Sequence, residues 1–265
     1  MGKVRNIWYN TKHVLKPFGL IVLAIVCISF SESKLKKQCC TDVVVTLQEN
    51  TTHGDFLTVD DVYDFLDINR NMLIGKLVED INVNKYEKAL KDNPFVKSCD
   101  VYFSNTGELH ITIQQRNPIV RIYTLKNQFY IDEDGIEFPL SKRNSSRVLV
   151  ASGDFDVACK SGSYVLSDAE QSRQLKEIYA LACKISEDKM FAPMIEQIYL
   201  DSLHQVMMVP KIGPSKIEVG KFDRDLDAKF NKLRAFYKAD KVRENWHLYK
   251  SISLRFENQI VCTKK

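Results

Sequence analysis

Residues 129–139 read FYIDEDGIEFP, and they bring Asp132, Glu133, Asp134 and Glu137 close together along the chain. Such a group could hold a metal ion or supply an acid and a base. A calcium loop needs oxygen ligands at positions 1, 3 and 5, glycine at 6 and glutamate at 12. Setting Gly135 at position 6 puts Tyr130 at position 1 and Ser141 at position 12, so both anchoring positions fail. The same residues fit a β-hairpin. Phe129, Ile131, Ile136 and Phe138 supply the apolar side chains, and Asp134-Gly135 supplies the positive-φ residues of a tight turn. We therefore read the stretch as a hairpin.

Other constellations for chemistry are weak. The five histidines, at 13, 53, 110, 204 and 247, lie in unrelated segments with no i, i+4 pair. No G-x-S-x-G elbow occurs, KSGSYV included. No glycine-rich phosphate loop is present. The seven cysteines, at 27, 39, 40, 99, 159, 183 and 262, contain no C-x-x-C pair and suggest neither a zinc nor a dithiol redox site. Cys99 and Cys183 read as small buried hydrophobes. Met207-Met208 reads as core. The expectation is a protein without catalytic residues, metal or cofactor, and without a small-molecule substrate.

The net charge of +4 sits in the head: Lys3, Arg5, Lys12 and Lys16 face no acidic residue within 1–16. The remainder balances, so no basic stripe points to nucleic acid. PFGLIVLAIVCISFS follows, and with Val14 and Leu15 it makes an uncharged run of about eighteen residues if Lys16 snorkels, just long enough to span a bilayer. Pro17, Leu20, Leu23, Val26 and Phe30 mark this span. A cleaved signal peptide is the rival reading. SFSESKLKK offers no small-x-small site, which favours an uncleaved anchor. Lys34, Lys36 and Lys37 on the far flank leave a margin of one charge for a cytoplasmic N-terminus.

Beyond a stalk at 32–41, the elements that position these residues fall into two groups. DVVVTLQE reads as a strand, and Thr58 caps a short helix with Asp61 three residues on. A second helix starts near Asn84 and ends at Asn93-Pro94. FVKSCDVYFS and GELHITIQQR are alternating strands, with Leu109, Ile111 and Ile113 on one face. This β–α–α–β–β order over 42–117 predicts helices on one face of a three-stranded sheet. From 118 to 265 the chain reads as strands with two helices. One runs from about Asp168 to Ser186 with Ser167 as its cap and Leu175, Ile178, Tyr179, Ala182 and Ile185 as its buried stripe. The other carries Phe222, Leu226, Phe230, Leu233 and Tyr237 on one side. LYKSISLRF and NQIVCTK close the region as strands.

In its order of elements the chain resembles the FtsQ/DivIB family of bacterial cell-division proteins, in which a POTRA domain precedes a β-domain. The run NPFVKSCDVYFSNTGELHITIQQRNPIVRI carries the likeness through Asn93-Pro94, Val96, Leu109, Ile111, Ile113, Arg116 and Pro118. Gln115 stands where the family pattern usually has glutamate, and Arg121 where it usually has a small residue. FYIDEDGIEFP is similar to a family hairpin, and IEVGKFDRDLDAKFNKLRAFY with YKSISLRFENQIV is similar to a closing strand–helix–strand. The fold expected is α+β: an N-terminal transmembrane helix at 14–31 behind a cytoplasmic head at 1–16, a POTRA-type domain at 42–117, and a mainly antiparallel β-domain at 118–265.

The resemblance implies a single-pass type II protein of the bacterial inner membrane, with its C-terminal domains in the periplasm at the division septum. It also implies FtsB/DivIC-like and FtsL-like partners taken up by β-strand addition, and regulation of septal peptidoglycan synthesis. The strand carrying Tyr249, Ser251, Ser253, Arg255 and Phe256 is the expected edge, with Ile252, Leu254 and Phe256 facing inward. A POTRA edge is a second, weaker candidate for another division protein. Two other readings are an outer-membrane biogenesis or secretion factor using POTRA for strand addition, and a cell-envelope enzyme. The first lacks repeated POTRA units or a C-terminal barrel, and the second lacks a convergent catalytic set.

Overall fold

The computed structural model describes residue 23 and residues 38–48, 54–67, 70–166, 173–222, 225–239 and 246–265. No helix among the described residues is long and apolar enough to cross a membrane. Of the expected span only Leu23 is described, and it is exposed; Pro17, Leu20, Val26 and Phe30 lie outside the described residues. Two compact units divide the chain. The first holds residues 1–48 and 57–114, the second 49–56 and 115–265.

The first unit begins with β1 (Asp42–Gln48) and continues through α1 (Val59–Leu66), α2 (Arg70–Leu73) and α3 (Val83–Lys91) to the hairpin of β2 (Val96–Phe103) and β3 (Glu108–Gln115). The strand order is β1-β3-β2, with β1 parallel to β3. A parallel partner needs a crossover connection, which the helices supply. Thr58 and Asp61 form the reciprocal capping box read from the sequence: Thr58 accepts from the Asp61 N–H, and Asp61 accepts from the Thr58 N–H at 2.7 Å. For α3 the cap is Asn82, two residues ahead of the expected start. The four-residue α2 carries no amphipathic repeat that a sequence reading could detect. Leu109, Ile111 and Ile113 are fully buried among Val62, Leu66 and Leu90, so helices cover one face of the sheet as expected.

The second unit is a nine-stranded sheet: β4 (Pro118–Tyr123), β5 (Gln128–Asp132), β6 (Glu137–Pro139), β7 (Leu149–Gly153), β8 (Ile195–Leu200), β9 (Val206–Pro210), β10 (Lys216–Gly220), β11 (Tyr249–Ser253) and β12 (Val261–Lys264). Their order is β12-β11-β10-β9-β8-β7-β4-β5-β6. Five junctions are antiparallel and three, β4·β7, β7·β8 and β10·β11, are parallel. Two of the parallel junctions bracket α4 (Arg173–Glu187) and α5 (Leu226–Lys238), each helix being the crossover that brings the chain back in the same direction.

Register aligns Phe129, Ile122, Ala151, Ile198, Met208, Ile217, Ile252 and Cys262 as one row across eight strands. The row packs with Leu175, Ile178, Leu181, Ala182 and Ile185 of α4 and Phe230 and Leu233 of α5 in one core. The stripe read for α4 is therefore the buried one, while its expected cap Ser167 lies outside the described residues. Cys99 is buried and Cys183 half-buried, and the six described cysteines are free thiols.

Asp188, just past α4, ties the turn to α5. Its carboxylate accepts the N–H groups of Met190 (2.9 Å) and Phe191 (3.2 Å) and pairs with Arg234, whose guanidinium also lies 5.7 Å from the Phe191 ring centroid. Partial burial opposes ionisation, but the two backbone donors and Arg234 together hold the carboxyl below its ordinary value of 3.8. A depressed folded pKa adds stability above the unfolded value and loses it as pH falls through the folded one. Asp188→Asn is thus expected to be less stable than the parent at pH 7, with the gap closing below about pH 4. Urea unfolding of both proteins at pH 7 and pH 3 checks this, and a gap independent of pH contradicts it.

Candidate partner-binding edge

The acidic hairpin is folded in upon itself. Asp132 is fully buried: its Oδ1 accepts the N–H groups of Asp134 (3.0 Å) and Ile136 (2.7 Å), and its Oδ2 pairs with Arg116 at 2.8 Å. Burial, the largest influence, raises the Asp132 carboxyl above its ordinary value against those hydrogen bonds. Glu137 is also fully buried, and its carboxylate accepts the Lys160 N–H at 2.8 Å. Glu133 accepts from the Asn117 side chain at 3.0 Å.

The turn differs from the expected one in a single detail: Gly135 has φ 79°, but Asp134 does not have positive φ. The Gly135 N–H donates to the Asp132 carbonyl, making a turn that needs only one left-handed residue. A Cβ at Gly135 would lie 2.9 Å from the Tyr164 ring and 3.1 Å from Tyr179, whose hydroxyl donates to the Glu133 carbonyl. These carboxylates support a turn. Among the described residues, no group of three or more His, Cys, Asp or Glu side chains is placed to hold a metal ion.

Of the histidines with described surroundings, His110 stacks on Tyr102 and contacts Glu108, and His204 meets Gln174. Neither faces a nucleophile in these contacts. Cys159 is pushed up to about 11, first by burial and then by the Glu137 charge, the opposite of an activated thiol.

The sheet edges are more informative. At one end, β6 is three residues long and ends in Pro139, which has no N–H. Its outer side is covered: the Glu137 N–H donates to the Ser163 carbonyl, and the Gly162 N–H to the Glu137 carbonyl. At the other end lies β12, which pairs with β11 alone among the described strands. An edge strand carries unpaired N–H and C=O groups that can template a partner strand.

This corrects the sequence reading. The strand of Tyr249, Ser251 and Ser253 is internal, parallel to β10 through Ser251↔Lys216 and Ser253↔Glu218, and antiparallel to β12 through Ser251↔Thr263 and Ser253↔Val261. Its ladder is filled on both sides, so its backbone has no place for another chain. Tyr249 is half-buried, with its ring 5.9 Å from Phe236.

Ile252 and Leu254 are buried as expected, but Phe256 is 47% exposed. The strand stops at Ser253, and the chain turns away where Lys232 of α5 donates to the carbonyls of Leu254, Phe256 and Glu257. Arg255 lies in this turn and pairs with Glu218 at 3.3 Å. The sequence signal for β11 was its strong alternation. NQIVCTK has a weaker one, which concealed that it, and not β11, forms the edge.

The terminal hairpin also exposes apolar surface: Leu248, Phe256 and Val261 are each more than 40% exposed. Ser251, Ser253, Val261 and Thr263 lie on the sheet face opposite the Ile252–Cys262 row, as strand alternation requires. Burial raises the Cys262 thiol. Among the described residues the edge thus combines a backbone with no strand on its outer side with an apolar rim, which is the combination strand addition uses.

Comparison with known protein families matches residues 117–263 to the model of FtsQ/DivIB, C-terminal related. Residues 38–114 match a POTRA-like domain. No curated protein matches the chain.

Proposed function

The chain belongs to the FtsQ/DivIB family, and from that premise we propose that this cell-division protein is a scaffold that binds FtsB/DivIC-like and FtsL-like partners by adding a strand to β12. Through them it regulates septal peptidoglycan synthesis, without catalysis or a cofactor of its own. The carrying observation is the contrast between the sheet's two edges, β6 being covered and β12 open. The setting proposed for this activity is the bacterial inner membrane at the septum, with the uncharged run near the N-terminus as a single type II anchor and residues 38–265 in the periplasm. The POTRA-like unit has its own edge strands, β1 and β2, as a second surface for another division protein.

Successive N–H groups along an edge strand alternate between the neighbouring strand and the outside. Proline at Cys262 and proline at Thr263 therefore remove different bonds, one from the β11 ladder and one from the outer edge. Co-purification of the full chain with the FtsB-like partner tests the proposal. The variant that keeps the parent's thermal unfolding is expected to lose the partner. Retention of the partner by both proline variants, with unfolding unchanged, would sink strand addition at β12.

A further inference from the structure

A cavity of the nine-stranded sheet, of about 670 Å³, lies away from the β12 edge and uses no residue of β10, β11 or β12. Its size is that of a small-molecule site. Ile119, Leu149, Ile185, Ala192 and Ile195 give it apolar walls, and Arg121, Arg147 and Lys211 give it three cations against the one carboxylate of Glu196.

None of the three cations makes an ion pair with a carboxylate among the described residues. Arg121 donates to the neutral Ser145 hydroxyl and the Gln128 side-chain oxygen. Its Nε is buried without an acceptor among the described residues, in a structure where buried donors are normally paired. Arg147 and Lys211 are exposed and make no ion pair with a described residue.

We propose that this cavity binds a phosphate monoester carried on an aliphatic stem. Charge decides between anions: three cations and one carboxylate leave a net +2, and a phosphate monoester carries about −1.5 to −2 at pH 7. A carboxylate would leave the site half neutralised. Arginine forks match phosphate oxygens in paired hydrogen bonds, and Lys211 adds a point charge. The apolar walls take the stem, which a free phosphate lacks. The site does not depend on the β12 reading.

Calorimetric titration of the full chain with decyl phosphate, below its micelle concentration, tests this. One molecule is expected to bind per chain, at least tenfold more tightly than inorganic phosphate or decanol, and more weakly as salt rises. Arg147→Gln with Lys211→Gln alters only exposed side chains and is expected to weaken binding at least tenfold. Lys216→Gln, a cation elsewhere on the sheet, is expected to leave it unchanged. Absence of saturable binding overturns the proposal, as does full binding by the double variant. Decanol binding as tightly as decyl phosphate overturns the phosphate site, and inorganic phosphate doing so overturns the stem.

Discussion

Gly153→Ala is expected to destabilise the second unit by about 3 kcal/mol or more. Gly153 ends β7 opposite Leu200 of β8, with φ 141°, a conformation that side-chain-bearing residues rarely adopt. A Cβ there would lie 1.9 Å from the Leu200 carbonyl oxygen and 2.7 Å from its nitrogen. Both are backbone atoms of a paired strand, so no rotamer change relieves the clash. Backbone strain and overpacking therefore act together at a parallel junction in the middle of the sheet. Urea unfolding checks it, and a loss under about 1 kcal/mol would show that the two strands separate easily here.

The second large effect is at Arg116. Replacing it with methionine keeps most of the stem but leaves Asp132 buried with no counter-charge. Removing one partner of a buried pair costs about 3–5 kcal/mol. The two backbone N–H donors that remain on Asp132 place the expected loss near the lower end, at about 3 kcal/mol. Arg116→Met combined with Asp132→Asn is expected to recover much of it, because Asn keeps an acceptor oxygen for Asp134 and Ile136.

The pH dependence gives a second check. Burial already raises the Asp132 carboxyl, and without Arg116 only the backbone hydrogen bonds oppose that rise. A folded pKa above the unfolded one means that the folded state holds the proton more tightly. The deficit of Arg116→Met should therefore shrink as pH falls through the raised pKa. A deficit that stays constant from pH 7 to pH 4 would contradict the buried-charge account.

Local signals in the sequence located much of this fold. The Thr58–Asp61 capping box, the Leu109–Ile113 alternation and the α4 stripe each depend on neighbours within a few residues, and each appears as read. The acidic hairpin was legible as a turn, because glycine at the left-handed position and flanking apolar residues are local features. Its stabilising partner was not, since Arg116 meets Asp132 only when β4 and β5 pair.

Strand order was equally hidden. Nothing local to Tyr249–Ser253 says that β10 lies on one side and β12 on the other, because order is set by the crossover through α5. That is why the alternation of SISLRF pointed to the right hairpin but the wrong strand. Phe256 misled for a related reason: its place in the alternation is apolar, but Lys232, twenty-four residues earlier, holds the chain in a turn there. The cation-lined cavity also draws on separated segments, with Arg121, Arg147 and Lys211 reaching it from three different stretches of chain.

The central claim is that β12 offers its open backbone to a partner strand. Amide hydrogen exchange of residues 261–264, in the full chain alone and bound to the FtsB/DivIC-like partner, measures it directly. The account predicts that the N–H groups of β12 facing away from β11 exchange quickly in the free protein and become strongly protected in the complex. Exchange at those positions that is unchanged while the partner is fully bound would contradict it.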